Sequence, residues 1–193
     1  MLFRSITNDD FIRTTEERHA RGVRKLLQAC YDAGDIESDI YRGHYCVPCE
    51  AYFLEDELDK GNCPIHGKPT TYVEEENYFF RLSRFEDRLL DWYAKHPNAI
   101  TPSFRMNEVI GFIKGGLHDF SISRKTLKWG IPLPWDDSHV TYVWFDALAN
   151  YITAHGYGTD DARFAERWPV DYHFIGKDRS EEHTSELQSL RHL

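Results

Sequence analysis

Two short pairs constrain this chain more than anything else in it: Cys46-Val-Pro-Cys49 and, thirteen residues on, Cys63-Pro-Ile-His66. Each pair closes in a tight turn helped by its own proline, Pro48 or Pro64. Three thiolates and one imidazole at this spacing suit a four-coordinate tetrahedral zinc. Cys46, Cys49, Cys63 and His66 together close the coordination shell, which points to a structural site, since a catalytic zinc keeps one position open. Two chance pairs of free thiols are the plain alternative. A disulfide is the weaker one, because nothing marks the chain as secreted. The segment from about 45 to 73 is then a small zinc ribbon, too short to bury much core. Its stability comes from the metal, which contributes about 10–16 kcal/mol of apparent binding energy in zinc-finger peptides.

The rest of the chain is ordinary in bulk. Its 193 residues are 41% hydrophobic and 28% charged, as in a soluble globular protein of one or two domains. The aromatic share, 15%, is high and favours a real core and a stacking or pocket function. A formal net charge of −9 makes a general nucleic-acid binder a poor expectation. Residues 46–73 carry Glu50, Glu55, Asp56, Glu57 and Asp59, not the basic, aromatic-interleaved face that a DNA-binding ribbon needs. No apolar run approaches a membrane span, and the N-terminus lacks the apolar stretch of a signal peptide, so a cytoplasmic location is expected.

Around the ribbon the pattern alternates. Thr14 and Glu17 form a capping box that starts a helix running to about Ala33, with Gly34 as its stop. Val23, Leu26, Leu27, Cys30 and Tyr31 are its apolar stripe, so Cys30 reads as a core residue and not as a ligand. Strands are expected at 36–45, 52–54 and 69–73, then at 77–81 after an exposed acidic run, Glu74-Glu-Glu76. Ser83 and Glu86 form a second capping box, and Pro102 opens a further helix buried through Met106, Val109, Ile110 and Ile113. Residues 120–124, 139–145 and 170–175 read as strands, with a helix over 146–155. The order predicts an α/β domain with a parallel sheet and an insertion, with ligands beyond the carboxyl ends of strands. Residues 179–193 break the pattern. They resemble the in-frame translation of a sequencing-adapter oligonucleotide and are set aside as a non-native tail.

Several segments together resemble the methionyl-tRNA synthetases, a family of class I aminoacyl-tRNA synthetases. They are Asp9-Asp-Phe-Ile-Arg-Thr-Thr-Glu-Glu-Arg-His19, the zinc knuckle, Glu75-Glu-Asn-Tyr-Phe-Phe-Arg-Leu-Ser83 and Asn107-Glu-Val-Ile-Gly-Phe112. Asp119-Phe-Ser-Ile-Ser-Arg124, Tyr142-Val-Trp-Phe-Asp-Ala147 and His173-Phe-Ile-Gly-Lys-Asp178 complete the series. Each is weak alone; their joint order over residues 5–178 is specific, and the single knuckle resembles the bacterial branch.

The resemblance implies a partial Rossmann-like catalytic domain over 1–178, interrupted at 45–73 by the zinc ribbon. It implies ATP-dependent activation of methionine and transfer to tRNA by the full-length parent, with ATP, bound with Mg, methionine and tRNA as its partners. It places Trp144, Ala147, Leu148 and Tyr151 around the methionine side chain, although by residue type alone Trp144 and Tyr151 read first as core. It places Arg124 at the amino-acid carboxylate and α-phosphate, where a guanidinium fork steadies developing charge, against the plain reading of a surface arginine. It places Gly176 and Asp178 at the adenosine.

The family's H-I-G-H and K-M-S-K-S phosphate-binding signatures are missing from the sequence. The 193-residue chain is therefore expected to be an inactive central portion of the enzyme. A class I synthetase for another aliphatic amino acid, a zinc-ribbon nucleic-acid-binding module and a truncated product without activity of its own are the alternatives.

Overall fold

The computed structural model describes residues 7–49, 51–53 and 55–175, with the backbone alone at Tyr41, Cys49, Ala51, Tyr52 and Asp56. The chain forms two compact units, one of residues 1–37 and 79–193, the other of residues 38–78. In chain order the elements are α1 (Glu17–Asp32), β1 (Ile36–Cys46), β2 (Ala51–Phe53), β3 (Thr71–Phe80), α2 (Glu86–Lys95) and α3 (Ser103–Lys114). Next come β4 (Phe120–Ser121), β5 (Ser123–Arg124), β6 (Val140–Thr141), α4 (Val143–Thr153) and α5 (Asp161–Arg167).

The larger unit is helical in its bulk. Helix α1 forms where its apolar spacing predicts, and it buries His19, Gly22, Val23, Leu26, Leu27 and Cys30. Burial pushes the Cys30 thiol up to about 12, as befits an inert core residue. Helix α1 packs on α4, which buries Phe145, Leu148, Ala149 and Ile152. Helices α2 and α3 pack together, and they bury Leu89 and Tyr93 on one and Met106, Val109 and Ile113 on the other.

Neither capping box works as the sequence predicts. At α1 the N-cap is Glu16, not Thr14. The Glu16 carboxylate accepts from the Arg13 backbone N–H at 2.9 Å and from Arg18 Nε at 2.6 Å, and these bonds fix the entry to the helix. At α2 a short 3₁₀ turn, Leu82–Phe85, precedes the helix. The Ser83 hydroxyl is turned away to Asp119 Oδ1 at 2.7 Å, and Glu86 accepts from the Leu117 backbone N–H at 3.2 Å. Tertiary partners thus recruit both residues of the box.

Strand β3 is continuous where two strands separated by an exposed acidic run were expected. Strand alternation explains this: Glu74 and Glu76 face solvent while Glu75 and Asn77 are buried on the other side. One sheet has the order β2-β1-β3-β4 and a second pairs β5 with β6. β1 with β2, β3 with β4 and β5 with β6 are all antiparallel. The expected parallel ladder therefore has no counterpart among these pairs. The predicted strand at 170–175 does not form, and Tyr172 and Phe174 are exposed there. A strand needs a neighbour to receive its hydrogen bonds, and none is paired with this segment among the described residues. The expected strand 139–145 is cut to Val140–Thr141, because α4 begins at Val143.

Candidate functional site

Arg124 ends β5 and is buried, not the surface side chain its type suggests. Its Nη1 donates to the Ser121 hydroxyl at 2.8 Å and to the Ser123 carbonyl at 2.7 Å. Its guanidinium carbon stands 3.8 Å from the centroid of the Tyr142 ring. A guanidinium held by hydrogen bonds in its plane and by an aromatic ring at its face keeps its charge in one place.

Tyr142 is the N-cap of α4, and its backbone N–H donates to the Ile122 carbonyl at 2.7 Å. One residue thus ties the arginine-bearing strand to the start of α4. Trp144, Ala147, Leu148 and Tyr151 fall at helical spacing along one side of α4. Trp144 is 37% exposed, Ala147 and Tyr151 are half-buried, and Leu148 is buried. Tyr151 meets the His173 ring edge-on at 5.6 Å, and His173 in turn meets Trp168 at 5.6 Å. The sequence expectation put Trp144 at a strand end; it stands in the first turn of a helix. Gly176 and Asp178 lie outside the described residues.

The other side of α4 carries a polar cluster that sequence reasoning did not single out. His19 of α1, fully buried, bridges to Asp146 Oδ1 at 2.6 Å through Nε2 and to Thr153 Oγ1 at 2.8 Å through Nδ1. No spacing rule links residues 127 and 134 apart. Ser121, Tyr142 and His173 were not singled out either, although all three lie inside the segments that carried the resemblance.

In the smaller unit, Cys46, Cys63 and His66 bring their ligand atoms within 4.8 Å of one another and could hold a metal ion. Cys46 ends β1, while Cys63 and His66 share a turn in which the His66 backbone N–H points at Cys63 Sγ at 3.5 Å. Gly67, at φ +62°, reverses the chain there and donates to the Cys63 carbonyl at 2.8 Å. Burial opposes the Cys63 thiolate. Hydrogen bonds from the His66 backbone and ring, the Ile65 N–H and the Cys46 thiol outweigh it, and the thiol falls to about 6. Cys49 ends a 3₁₀ turn, Val47–Cys49, and its side chain lies outside the described set.

The chain matches the tRNA synthetases class I (M) family over residues 3–75 and 65–190, and it belongs to that family. Its relatives are methionine--tRNA ligases. That of Thermotoga maritima is 49% identical over 183 residues, covering 93% of this chain and 29% of its own length. That of Streptomyces coelicolor is 49% identical over 181 residues, covering 90% and 34%. A solved Mycobacterium tuberculosis methionyl-tRNA synthetase in complex with methionyl-adenylate superposes with a TM-score of 0.82 at 42% identity, over 96% of this chain and 38% of that one. The chain spans about a third of the length of the proteins it matches. Among the described residues no helix is long and apolar enough to cross a membrane.

Proposed function

We propose that this chain is the methionine-facing part of the catalytic domain of a cytoplasmic methionine--tRNA ligase, whose full-length form joins methionine to tRNA through methionyl-adenylate, using ATP with Mg. The observation that carries this is the buried Arg124 guanidinium, stacked on the residue that caps α4. A fixed positive charge at the start of that helix suits a carboxylate and the α-phosphate it attacks. Trp144, Ala147, Leu148 and Tyr151, further along the helix, take the thioether side chain, whose polarizable sulfur packs well on aromatic rings. Gly176 and Asp178 take the adenosine.

Cys46, Cys49, Cys63 and His66 hold a structural zinc within a ribbon of residues 45–73 inserted in a catalytic domain of residues 1–178. The donor set supports the metal. Cys46 Sγ and Cys63 Sγ lie 4.0 and 3.9 Å from His66 Nδ1. A tetrahedral zinc with Zn–S of about 2.3 Å and Zn–N of about 2.0 Å sets such atoms about 3.6 Å apart. Residues 179–193 are a non-native tail.

The test places residues 5–178 in the Thermotoga maritima ligase in place of the segment they match, and measures ATP–pyrophosphate exchange. Methionine-dependent exchange is expected, with leucine and valine inactive, while the 193-residue chain alone gives none. Exchange driven equally by leucine or valine favours a synthetase for another aliphatic amino acid. No exchange at all overturns the assignment.

A further inference from the structure

We propose that His19 is a positioning residue for methionine recognition, acting through α4 on the opposite side from the substrate. The proposal rests on the assignment above that α4 lines the methionine side chain. Helices α1 and α4 pack on each other and already bury apolar side chains, Val23, Leu26 and Leu27 on one and Ala149 and Ile152 on the other, which supplies adhesion. Placing a histidine, an aspartate and a threonine in the same contact adds desolvation cost without adding adhesion. What such a cluster adds is register.

The geometry fits that role. Asp146 sits in the first turn of α4 and Thr153 is its last residue, seven positions and about 10 Å of helix rise later. One imidazole holds both. A carboxylate only accepts, so Nε2–H donates to Asp146 and Nδ1 is left to accept from the Thr153 hydroxyl. Two bonds at the two ends of one helix fix both its rotation and its slide along α1.

The close approach this needs is built in. Gly22 lies one turn from His19 on α1, and a Cβ there would come 2.3 Å from Thr153 Cγ2 and 2.7 Å from the Tyr157 carbonyl. Gly158 closes the same contact from the other side, its would-be Cβ 2.7 Å from the Gly22 Cα. The rotation of α4 that His19 sets is also the rotation that points Trp144, Ala147 and Tyr151 away from α1.

The experiment uses the exchange-competent enzyme carrying residues 5–178 and measures the KM for methionine and for ATP separately. Thr153→Val removes the hydroxyl with little change of shape, and His19→Gln keeps a donor for Asp146 while losing the bond to Thr153. Each is expected to raise the methionine KM roughly tenfold, as loss of one buried hydrogen bond implies, with the ATP KM within about twofold of its starting value. Thr153→Ser restores the methionine KM. The double variant raises it no further than either single one, because both remove the same bond. A lowered melting temperature with an unchanged methionine KM overturns the proposal, as does an equal rise in both KM values. If the unsubstituted enzyme shows no methionine-dependent exchange, the assignment of α4 fails first and the proposal falls with it.

Discussion

At the scale of single residues, the setting of Arg124 decides what its charge can do: the Tyr142 ring lies 3.8 Å from its guanidinium carbon, and the Ser121 hydroxyl and Ser123 carbonyl accept from its Nη1. Arg124 by type reads as a surface residue, and only the family resemblance singled it out, whereas the Cys46, Cys63 and His66 set was visible by residue type and spacing. The Tyr142 ring over Arg124 was not, because a tyrosine at the head of an apolar segment reads as core until the fold turns it. Arg124→Lys tests how much that setting matters. A lysine keeps the charge but loses the flat fork that lies on the ring and bonds the Ser123 carbonyl. Methionine-dependent exchange by the enzyme carrying residues 5–178 is expected to fall by about 10²-fold, the usual effect of losing one fixed donor at a developing charge. Asp10 makes a pH prediction of the opposite kind, on stability alone. Its hydrogen bonds to Arg18, with smaller help from the Phe11 N–H and Arg163, outweigh burial and hold its carboxyl well below the ordinary aspartate range. A lowered folded pKa contributes stability that is present above the ordinary aspartate value and lost as pH falls toward the folded one. Urea midpoints of the chain should therefore drop on acidification below about pH 4, and Asp10→Asn should flatten that part of the curve.

At the scale of elements, the helices with a clear apolar stripe came out where periodicity put them, and the misses fall where tertiary contact decides. Residues 139–145 alternate like a strand, yet the helix begins at Val143 because Asp146, Leu148, Ala149 and Ile152 also fit a helical stripe and α1 offers a surface to receive it. At α1 the predicted box gives way to a local arrangement in which Glu16 bonds Arg13 and Arg18, and at α2 the box residues are taken by the distant segment 117–119. The α1–α4 contact makes the sharpest prediction at this scale. Gly22 has no conformational reason to be glycine within α1; the reason is space. Gly22→Ala forces apart the Thr153 methyl and the Tyr157 carbonyl, which is backbone and yields little. The substitution should destabilise by about 1–3 kcal/mol, as overpacking of a close contact does, despite alanine's better helix propensity. Urea unfolding of the two proteins measures the difference directly, and a gain in stability would show that the helices can separate freely at this point.

At the scale of the whole molecule, the two units differ in what can hold them together. The larger has a continuous list of buried apolar residues, from Val23 and Leu26 through Phe80 and Tyr93 to Ile113, Leu133 and Ile152. In residues 38–78 the buried hydrophobic side chains, among those described, are Cys46 and Cys63, with Glu75 and Asn77 the buried polar ones. A unit whose apolar interior is made of two metal-type ligands cannot balance chain entropy by burial alone. Zinc removal should therefore act on one unit and spare the other. Protein purified without chelator is expected to hold one zinc per chain, and a strong chelator should strip amide protection from 38–78 while α1, α3 and α4 keep theirs. Lowering the pH should do the same without chelator, because protons compete with the metal for the Cys46 and Cys63 thiolates and the His66 imidazole. Cys63→Ser should reproduce the chelated state at neutral pH, and Cys30→Ser, at a position buried on α1 in the larger unit, should leave the zinc content unchanged. Loss of protection spread evenly over both units on chelation would mean that the metal stabilises the whole chain, and a chain that folds fully without zinc would remove the Cys46, Cys63 and His66 cluster from any role in holding residues 38–78 together.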